Sequence, residues 1–424
     1  MDKFRKRQKS VSFTDHRRSY PRNFNGKVVK YNVCKLLLSP CICSMLNFSG
    51  NFIRNMNLIN DSFVTIFLPA ENVHCYKDVG MIPRIMSKET GIKSYLVCIG
   101  KGEYDDFDDL ELIKLGSNKI FSEIKQLLFI CTNAKKIKIL NLYHWGIRTL
   151  IAGMLYKVFN RKGKLYVKCD MGDRGVEEIR KNPLRIFIIK ALADISNLIS
   201  VESSRVANRL NLILKKKKVE LIPNGIVSNK KDNSTSLKER KKIILTVGQL
   251  GTKAKATEDL VESFVKISDK IPDWKLLLVG SMTDEFKKYI SAVKNSRLDL
   301  SSKIECTGEI RNREELSGIY TEASIFVLPS RWESFGLVML EALSYGCYFI
   351  GSDKISPVED FIINDNYGKI FESGNKEQLS SILLNTINSG IVNDENLRKE
   401  RINHIINSYN WTIICKRIIK FLKS

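Results

Sequence analysis

The stretch that decides the fold is SIFVLPSRWESFGLVMLEALSYGCYFIGSD, residues Ser324–Asp353. Its apolar run at Ile325–Leu328 predicts a buried strand, which a short loop at Pro329–Ser334 follows. The next residues, Phe335–Ser344, have the pattern of a mostly apolar helix, and Tyr348–Ile350 predicts another strand. A strand, a helix and a strand in this order are typical of a parallel sheet with helices on its faces.

The same alternation recurs along most of the chain. In the first half the predicted strands are Ser62–Leu68, Ser94–Ile99, Leu127–Cys131, Ile137–Leu142, Lys164–Lys168, Asn197–Val201 and Val219–Ile222. Three more precede the opening stretch, at Ile243–Val247, Lys275–Val279 and Lys303–Cys306. Helical patterns lie between them, at Asp78–Lys88, Arg148–Phe159, Asn182–Ala193, Thr257–Ser268, Asp284–Asn295, Asn312–Tyr320 and Lys376–Ser389. We therefore predict an α/β protein with two Rossmann-like, doubly wound domains, and a ligand site in the cleft between them.

Length and composition agree with two domains. The chain has 424 residues, of which 43% are hydrophobic, and a single core stops growing at about 250–300 residues. This apolar fraction excludes a wholly disordered chain. A polytopic membrane protein is disfavoured because no run of about 18 apolar residues occurs. Ten cysteines without metal-ligand spacing, several in strand-like runs, and the lack of a signal-peptide pattern indicate a cytoplasmic protein.

The charge is strongly positive. There are 69 Lys and Arg residues against 46 Asp and Glu, a formal net charge of +23. This excess indicates an anionic partner, such as nucleic acid, an acidic membrane surface or a phosphorylated ligand, or else lysines that only solvate the surface. No zinc finger, aromatic RNA-binding motif or helix-turn-helix pattern supports nucleic acid. Residues 1–32, with ten Lys and Arg against Asp2 and Asp15, form a basic arm that either contacts anionic lipid or has no function.

The loop and helix of the opening stretch have the features of an anion site. Ser334 is a candidate N-cap for the predicted helix. The backbone amides of Phe335, Gly336 and Leu337 would then be unpaired donors at the positive end of the helix dipole. Gly336 would allow a ligand to approach the backbone closely.

Two carboxylates accompany this anion site. Glu341 lies within the apolar helix, where a carboxylate needs a partner, either hydroxyl groups of a ligand or a Lys or Arg in a structural ion pair. Glu333 lies in the loop before the helix. The spacing of this pair resembles the E-x7-E motif of retaining GT-B glycosyltransferases, and SRWESFGLVMLEALSYG is similar to the form found in glycosyltransferase family 4.

A second segment matches that family in order and form. Thr246–Phe264 (TVGQLGTKAKATEDLVESF) resembles the family's strand, loop and helix, which usually read Gly-Arg, a short loop, then Lys. Gly248 takes the glycine position. Lys255 matches the phosphate-binding lysine by its spacing from the helix, with Lys253 as a substitute. Gln249 stands where the family usually has Arg, which removes one cation from the diphosphate site.

Two further segments give the resemblance its extent. Leu221–Ile226 (LIPNGI) resembles the segment where the first domain passes to the second, and Trp411 precedes a terminal helix like the one that returns to the first domain in the family. The alternative for that amphipathic helix is a membrane contact. The predicted organisation is a basic, partly disordered extension (1–60), an acceptor domain (61–225), a nucleotide-sugar-binding domain (226–405) and the returning helix (406–424).

The first domain matches the family less closely. The loop after its first strand is Ala70–Met81, where Gly80 is the candidate for close approach, although the family's double glycine is absent. His144, which follows a predicted strand, resembles the family's His that faces the donor sugar. The alternatives are a core or capping role for His144, or His74 in its place. Asp170 ends another strand and either contacts the acceptor or caps a helix.

The resemblance implies transfer of a sugar from a nucleotide-sugar to an acceptor with retention of anomeric configuration, through front-face attack assisted by the leaving phosphate. Glu341 would bind the ribose hydroxyls and Glu333 the donor sugar. No metal or other cofactor is implied, and no DxD sequence stands out as a metal site. The acidic patch of Asp105, Asp106, Asp108 and Asp109 lies in a loop-like segment that is expected to be solvated. The predicted acceptor is a glycan, or a glycan on a polyprenyl diphosphate, in surface polysaccharide or lipopolysaccharide synthesis at the inner face of the membrane, with nucleic acid not expected as a partner. The alternatives are a sugar-nucleotide epimerase with the same fold and a basic nucleic-acid-binding protein.

Overall fold

The computed structural model describes residues 58–100, 102–116, 119–215, 218–227 and 240–423. Leu58–Ser424 form one compact unit. The predicted extension at 1–60 and the linker before residue 241 therefore lie mostly outside the described residues.

The first half is built on a seven-stranded sheet. Its strands are β1 (Ser62–Ile66), β2 (Ser94–Cys98), β3 (Glu111–Lys114), β4 (Ile137–Tyr143), β5 (Lys164–Lys168), β6 (Leu198–Val201) and β7 (Glu220–Leu221). All neighbours pair in parallel, in the order β3-β2-β1-β4-β5-β6-β7. Because the strands are parallel, their carboxyl ends meet at one edge, where the loops that follow them gather.

Helices cover both faces of this sheet. They are α1 (Asn72–Cys75), α2 (Asp78–Thr90), α3 (Lys119–Asn133), α4 (Ile147–Phe159), α5 (Asp173–Arg180), α6 (Pro183–Ile195) and α7 (Ser204–Leu214). Along the layer formed by α3, α4 and α6, α4 packs against both of its neighbours. The connections that contain α3, α4 and α6 run toward the β7 edge of the sheet, whereas the connection that contains α2 runs toward the β3 edge. Right-handed crossovers therefore place α2 on the opposite face.

The second half repeats the architecture with six strands. They are β8 (Lys241–Val247), β9 (Lys275–Val279), β10 (Ile304–Gly308), β11 (Ala323–Leu328), β12 (Tyr348–Ser352) and β13 (Gly368–Phe371), in the order β10-β9-β8-β11-β12-β13, all parallel. The helices are α8 (Thr257–Ile267), α9 (Asp284–Ser296), α10 (Arg313–Glu322), α11 (Leu337–Ser344), α12 (Val358–Phe361), α13 (Lys376–Asn388), α14 (Glu395–Tyr409) and α15 (Trp411–Lys423). Buried apolar side chains fill both faces of the sheet.

The last helix belongs to the core of the first half. On α15, the side chains of Trp411, Ile414 and Ile418 are buried and pack with Met81 and Ile82 of α2. Its amphipathic pattern is therefore used in packing. The chain crosses between the halves twice, after β7 and before α15.

Most predicted elements are confirmed, and the errors have physical causes. The predicted strand at Leu127–Cys131 is wrong, because this apolar run is part of the fifteen-residue α3; a short apolar run does not distinguish a strand from a buried helix. The sequence pattern did not predict β3 and β13, which have only four residues each. The acidic segment before β3 is only partly solvated, since Asp109 forms ion pairs with Arg84 at 2.7 Å and with Lys88 at 2.9 Å.

Candidate active site

Two loops of the second sheet bring a lysine and a glutamate into contact. Strands β8 and β11 are neighbours, so the loops that follow them lie side by side. The amide of Arg331 donates to the carbonyl of Ala254 at 2.8 Å, which ties these loops together. As a result Lys255 Nζ lies 2.5 Å from Glu333 Oε2, and both side chains are mostly buried. The predicted phosphate-binding cation and the predicted sugar-binding carboxylate therefore form an ion pair.

The backbone around Lys255 requires glycine at two strand ends. Gly248, after β8, has φ +156°, and Gly280, after β9, has φ +135°. A Cβ at Gly280 would lie 1.8 Å from the carbonyl oxygen of Gly248. The other predicted donor residues of this loop, Gln249 and Lys253, are exposed. The structure therefore brings Lys255, rather than Lys253, to the cleft.

The amino end of α11 faces the same space. The helix begins at Leu337, and its N-cap is Gly336 with φ +80°, so the prediction of Ser334 as N-cap is wrong. A left-handed N-cap favours glycine, because other residues are strained in this conformation. The amides of the first turn point out of the helix end. Phe335, Gly336 and Leu337 all line the cleft, and their role as an anion site stays a prediction.

A cavity of about 320 Å³ separates this wall from the first half. On the opposite side it is lined by His144 and Asp170, which follow β4 and β5. The two halves also touch directly, since the amide of Asp173 donates to Ser356 Oγ at 3.1 Å. The guanidinium of Arg174 lies 3.8 Å from the ring centre of Trp332. These contacts hold the two walls of the cavity facing each other.

His144 has an unusual backbone. It is exposed, with φ +65°, and its amide donates to the carbonyl of Lys168 at 2.9 Å. Such a conformation costs of the order of 1 kcal/mol or more for a residue other than glycine, so the neighbouring strands must stabilise it. The position excludes a core role. Asp170 does not cap a helix, because the N-cap of α5 is Gly172.

The remaining predicted residues of the first half have other roles. Gly80 lies inside α2, where an added Cβ would be 2.4 Å from the backbone of Cys75. The close approach that Gly80 allows is thus between two protein segments, and the interpretation of a ligand contact there is wrong. His74 lines the cavity too, and its Nδ1 accepts a hydrogen bond from the Glu71 amide at 3.1 Å. Burial lowers the pKa of His74, so it is neutral near pH 7.

Glu341 is half-buried on α11 and does not line the cavity. The hydroxyl of Tyr320 donates to its Oε2 at 3.1 Å, and Tyr320 stacks on Tyr345 with ring centres 5.8 Å apart. Burial raises the pKa of Glu341 above its usual value, while Tyr320 and Arg313 oppose the rise. The partner of Glu341 is thus the neutral hydroxyl of Tyr320, and not a Lys or Arg in an ion pair.

Sequence reasoning missed a buried polar cluster in the wall of the first half. Lys168, fully buried at the end of β5, lies 2.5 Å from Glu202 Oε1, 3.4 Å from Asp78 Oδ2 and 3.0 Å from Asn224 Oδ1. We call these four residues the polar floor. Asp78, Glu202 and Asn224 line the cavity. One signal was available, because Glu202 directly follows a buried strand, and Asp170, which was singled out, lies two residues after another.

Burial and neighbouring charges shift the pKa values of Glu202 and Lys168 in the polar floor. Burial raises the pKa of Glu202 to about 8, and Lys168 opposes part of the rise. Burial alone would lower the pKa of Lys168, but Glu202 and Asp78 outweigh it and raise that pKa. The second oxygen of Glu202, Oε2, is buried without a hydrogen-bond partner among the described residues. Within the same residues, no cluster of three or more His, Cys, Asp or Glu is arranged to hold a metal ion.

The second half is similar to known proteins. Residues 227–407 match the family of glycosyl transferases group 1. The chain is 33% identical over 138 residues to N-acetyl-alpha-D-glucosaminyl L-malate synthase of Bacillus anthracis, covering 32% of this chain and 34% of that protein. It is 31% identical over 101 residues to the lipopolysaccharide core biosynthesis mannosyltransferase LpsB of Rhizobium meliloti, covering 23% and 28%. The matched segments thus span about a third of these curated relatives.

Solved structures share the whole described fold. Sucrose-phosphate synthase from Thermosynechococcus elongatus superposes with a TM-score of 0.65 at 18% identity, covering 86% of this chain and 98% of that one. HepE of Anabaena in complex with UDP gives a TM-score of 0.65 at 11% identity, covering 85% and 99%. At these identities the likeness shows the fold alone, which is the predicted GT-B arrangement of two Rossmann-like domains.

Proposed function

We propose that this chain, whose residues 227–407 match the glycosyl transferases group 1 family, transfers a sugar from a nucleotide-sugar to an acceptor. The observation that carries the proposal is the cavity between the halves. One wall presents Lys255 and the amides of Phe335–Leu337, and the other presents His144 and Asp170. Such an arrangement suits a reaction in which a bound diphosphate gains negative charge at one wall while an acceptor hydroxyl approaches from the other.

The leaving group explains the choice of residues. When the bond between the sugar C1 and the phosphate oxygen breaks, the nucleoside diphosphate gains negative charge. A lysine and helix-end amides stabilise that charge without reorganising. We propose that Glu341 binds the ribose hydroxyls, that Glu333 binds the donor sugar, and that His144 contacts the sugar from the first half.

We propose further that the anomeric configuration is retained. The acceptor oxygen would form its bond to C1 on the face that the phosphate leaves, and the acceptor proton would pass to the departing phosphate oxygen. No residue then needs to form a covalent intermediate. The proposed acceptor is a glycan or a lipid-linked glycan in polysaccharide or lipopolysaccharide synthesis. LpsB, named for lipopolysaccharide core synthesis, is among the relatives.

A donor screen followed by product analysis tests the proposal. Thermal shift with UDP-, GDP-, ADP- and CDP-sugars should show one class that raises the melting temperature, because a ligand stabilises the state to which it binds. With that donor, a glycosylated acceptor plus free nucleoside diphosphate supports transfer, whereas interconversion of two nucleotide-sugars supports the epimerase. The anomeric configuration of the product, read by NMR, tests retention.

The Glu341→Ala variant tests the site within the enzyme. It should lose most transfer activity while the circular dichroism spectrum and cooperative melting persist, since only one side chain outside the core is shortened. Full activity in the folded variant would refute the role of Glu341. Variants of Lys255 would then test whether the cavity is the site of transfer.

A further inference from the structure

The first half exposes an unusually apolar surface on three neighbouring helices. Its members are apolar side chains that are each 42–64% exposed. They are Ile124 on α3, Ile147, Ile151, Met154 and Val158 on α4, and Leu184 and Phe187 on α6. We call these seven residues the apolar face. Single exposed apolar residues are ordinary, but a continuous set marks a contact surface.

The spacing on α4 shows how the face arises. Ile147, Ile151, Met154 and Val158 recur every three or four residues, so they share one side of the helix. The inward side holds Leu155 and other buried apolar residues that pack on the sheet. An ordinary surface helix is polar on its outer side. The pattern of α4 therefore indicates that its outer side also meets an apolar environment.

The charges around the face favour an anionic partner. Residues 145–164, which include α4, contain five Lys and Arg residues and no Asp or Glu. Arg161 and Lys162, just beyond the end of α4, and Lys190 on α6 are exposed. A helix with an apolar outer side flanked by cations is typical of surfaces that lie on membranes containing anionic lipid.

The apolar face also leads toward the proposed site. A cavity of about 690 Å³ lies beside α3 and α4, and most of its lining is apolar, including Leu68 and Leu127. Ile124 and Ile151 belong to both the face and this cavity. His144 lines both this cavity and the smaller one between the halves. A lipid tail entering at the face would thus pass mostly apolar side chains, beside the ion pair of Arg148 with Glu123, on its way toward His144.

We propose that the apolar face docks on the surface of an anionic lipid bilayer and that the adjoining cavity opens toward the lipid. The docking is inferred from the exposed surface alone. The delivery of a lipid-linked acceptor to the site rests on the proposed function. A lipid-linked acceptor would reach His144 without leaving the membrane surface. No helix among the described residues is long and apolar enough to cross a membrane.

The test uses the full chain and vesicle flotation. Vesicles of equal parts phosphatidylcholine and phosphatidylglycerol should bind the wild-type protein, and vesicles of phosphatidylcholine alone should bind it less. The double variant Met154→Glu/Phe187→Glu should partition to the anionic vesicles on the order of tenfold less, since two carboxylates would oppose both burial and charge. A second pair, Ile147→Glu/Leu184→Glu, should behave in the same way, so a folding defect in one pair does not decide the result.

A matched control separates the face from the overall charge. Leu298 and Ile363 are 81% and 51% exposed in the second half, so Leu298→Glu/Ile363→Glu makes the same charge change elsewhere. This control should bind like the wild type. Equal binding by the face variants and the wild type would overturn the proposal and assign binding to another region, such as the basic residues 1–32. No binding by the wild type would also overturn it.

A second copy of the chain is the competing occupant. Light scattering of the lipid-free protein distinguishes it. A wild-type dimer that the face variants convert to a monomer would overturn the membrane assignment. Because flotation needs no catalysis, loss of transfer in the Glu341→Ala variant with unchanged flotation separates the proposed function from docking.

Discussion

The ion pair between Lys255 and Glu333 leads to a prediction with an unexpected sign. The carboxylate of Glu333 lies 2.5 Å from the ammonium group of Lys255, so it competes with a diphosphate for that cation. Glu333→Gln removes the negative charge but keeps the size of the side chain. The variant should therefore bind nucleoside diphosphate more tightly than the wild type, although it should transfer sugar more slowly.

The size of the effect follows from burial. Side chains of Lys255 and Glu333 are 24% and 18% exposed, so the pair lies between an exposed and a fully buried one. Exposed pairs contribute about 0.2–1 kcal/mol, and unit charges 4 Å apart interact by about 4 kcal/mol at an effective dielectric constant of 20. Allowing for water at the cleft, we expect a gain of about 0.5–1.5 kcal/mol, or roughly two- to twelvefold in Kd.

Isothermal titration calorimetry with UDP, GDP and ADP measures this gain, for whichever nucleotide binds the wild type. A matched control is Glu305→Gln, since Glu305 also lies 2.5 Å from a lysine, Lys275, near the opposite edge of the same sheet. The control should leave Kd unchanged. Weaker or equal binding by Glu333→Gln would refute the idea that the diphosphate competes with Glu333 for Lys255.

Three further predictions concern the polar floor and the glycine contact. Lys168→Met should lower the free energy of unfolding by about 3–5 kcal/mol, because it removes the buried cation that pairs with Asp78 and the donor that Glu202 and Asn224 share. Urea denaturation measures this, and adding Glu202→Leu should recover part of the loss. Gly280→Ala should lower the free energy of unfolding by about 2–4 kcal/mol, because the new Cβ adds backbone strain at positive φ and overlaps the carbonyl of Gly248. The control Gly308→Ala, at φ +76° with no atom within 4 Å of the new Cβ, should show the strain alone. Equal losses in the two variants would argue against the overlap. Because burial raises the pKa of Glu202 to about 8, its contribution to stability is complete below its ordinary pKa and is lost as the pH rises through about 8. Glu202→Gln should accordingly show a smaller fall in unfolding free energy between pH 5 and pH 8.5 than the wild type, and parallel curves would contradict this pKa.

Sequence reasoning predicted elements well where the pattern was long and local. The strand, loop and helix around Glu333, and the helix after Lys255, depend on residues close together in the chain, so periodicity and turn residues were sufficient. It failed at Leu127–Cys131, where an apolar run suited a strand and a helix equally. It also failed at Gly80, because a glycine that permits close approach does not say whether a ligand or another segment approaches.

The sequence by itself determined the two α/β halves, the position of the candidate anion site at a helix end and the identity of the other candidate residues, because these follow from local patterns. Only the tertiary structure decided which residues meet. Lys255 and Glu333 are 78 positions apart and touch because β8 and β11 are neighbours in the sheet. Strand order also assembles the polar floor from four separate segments and leaves the apolar face exposed. Which strands lie side by side depends on long-range packing of the whole chain, and no local pattern contains it.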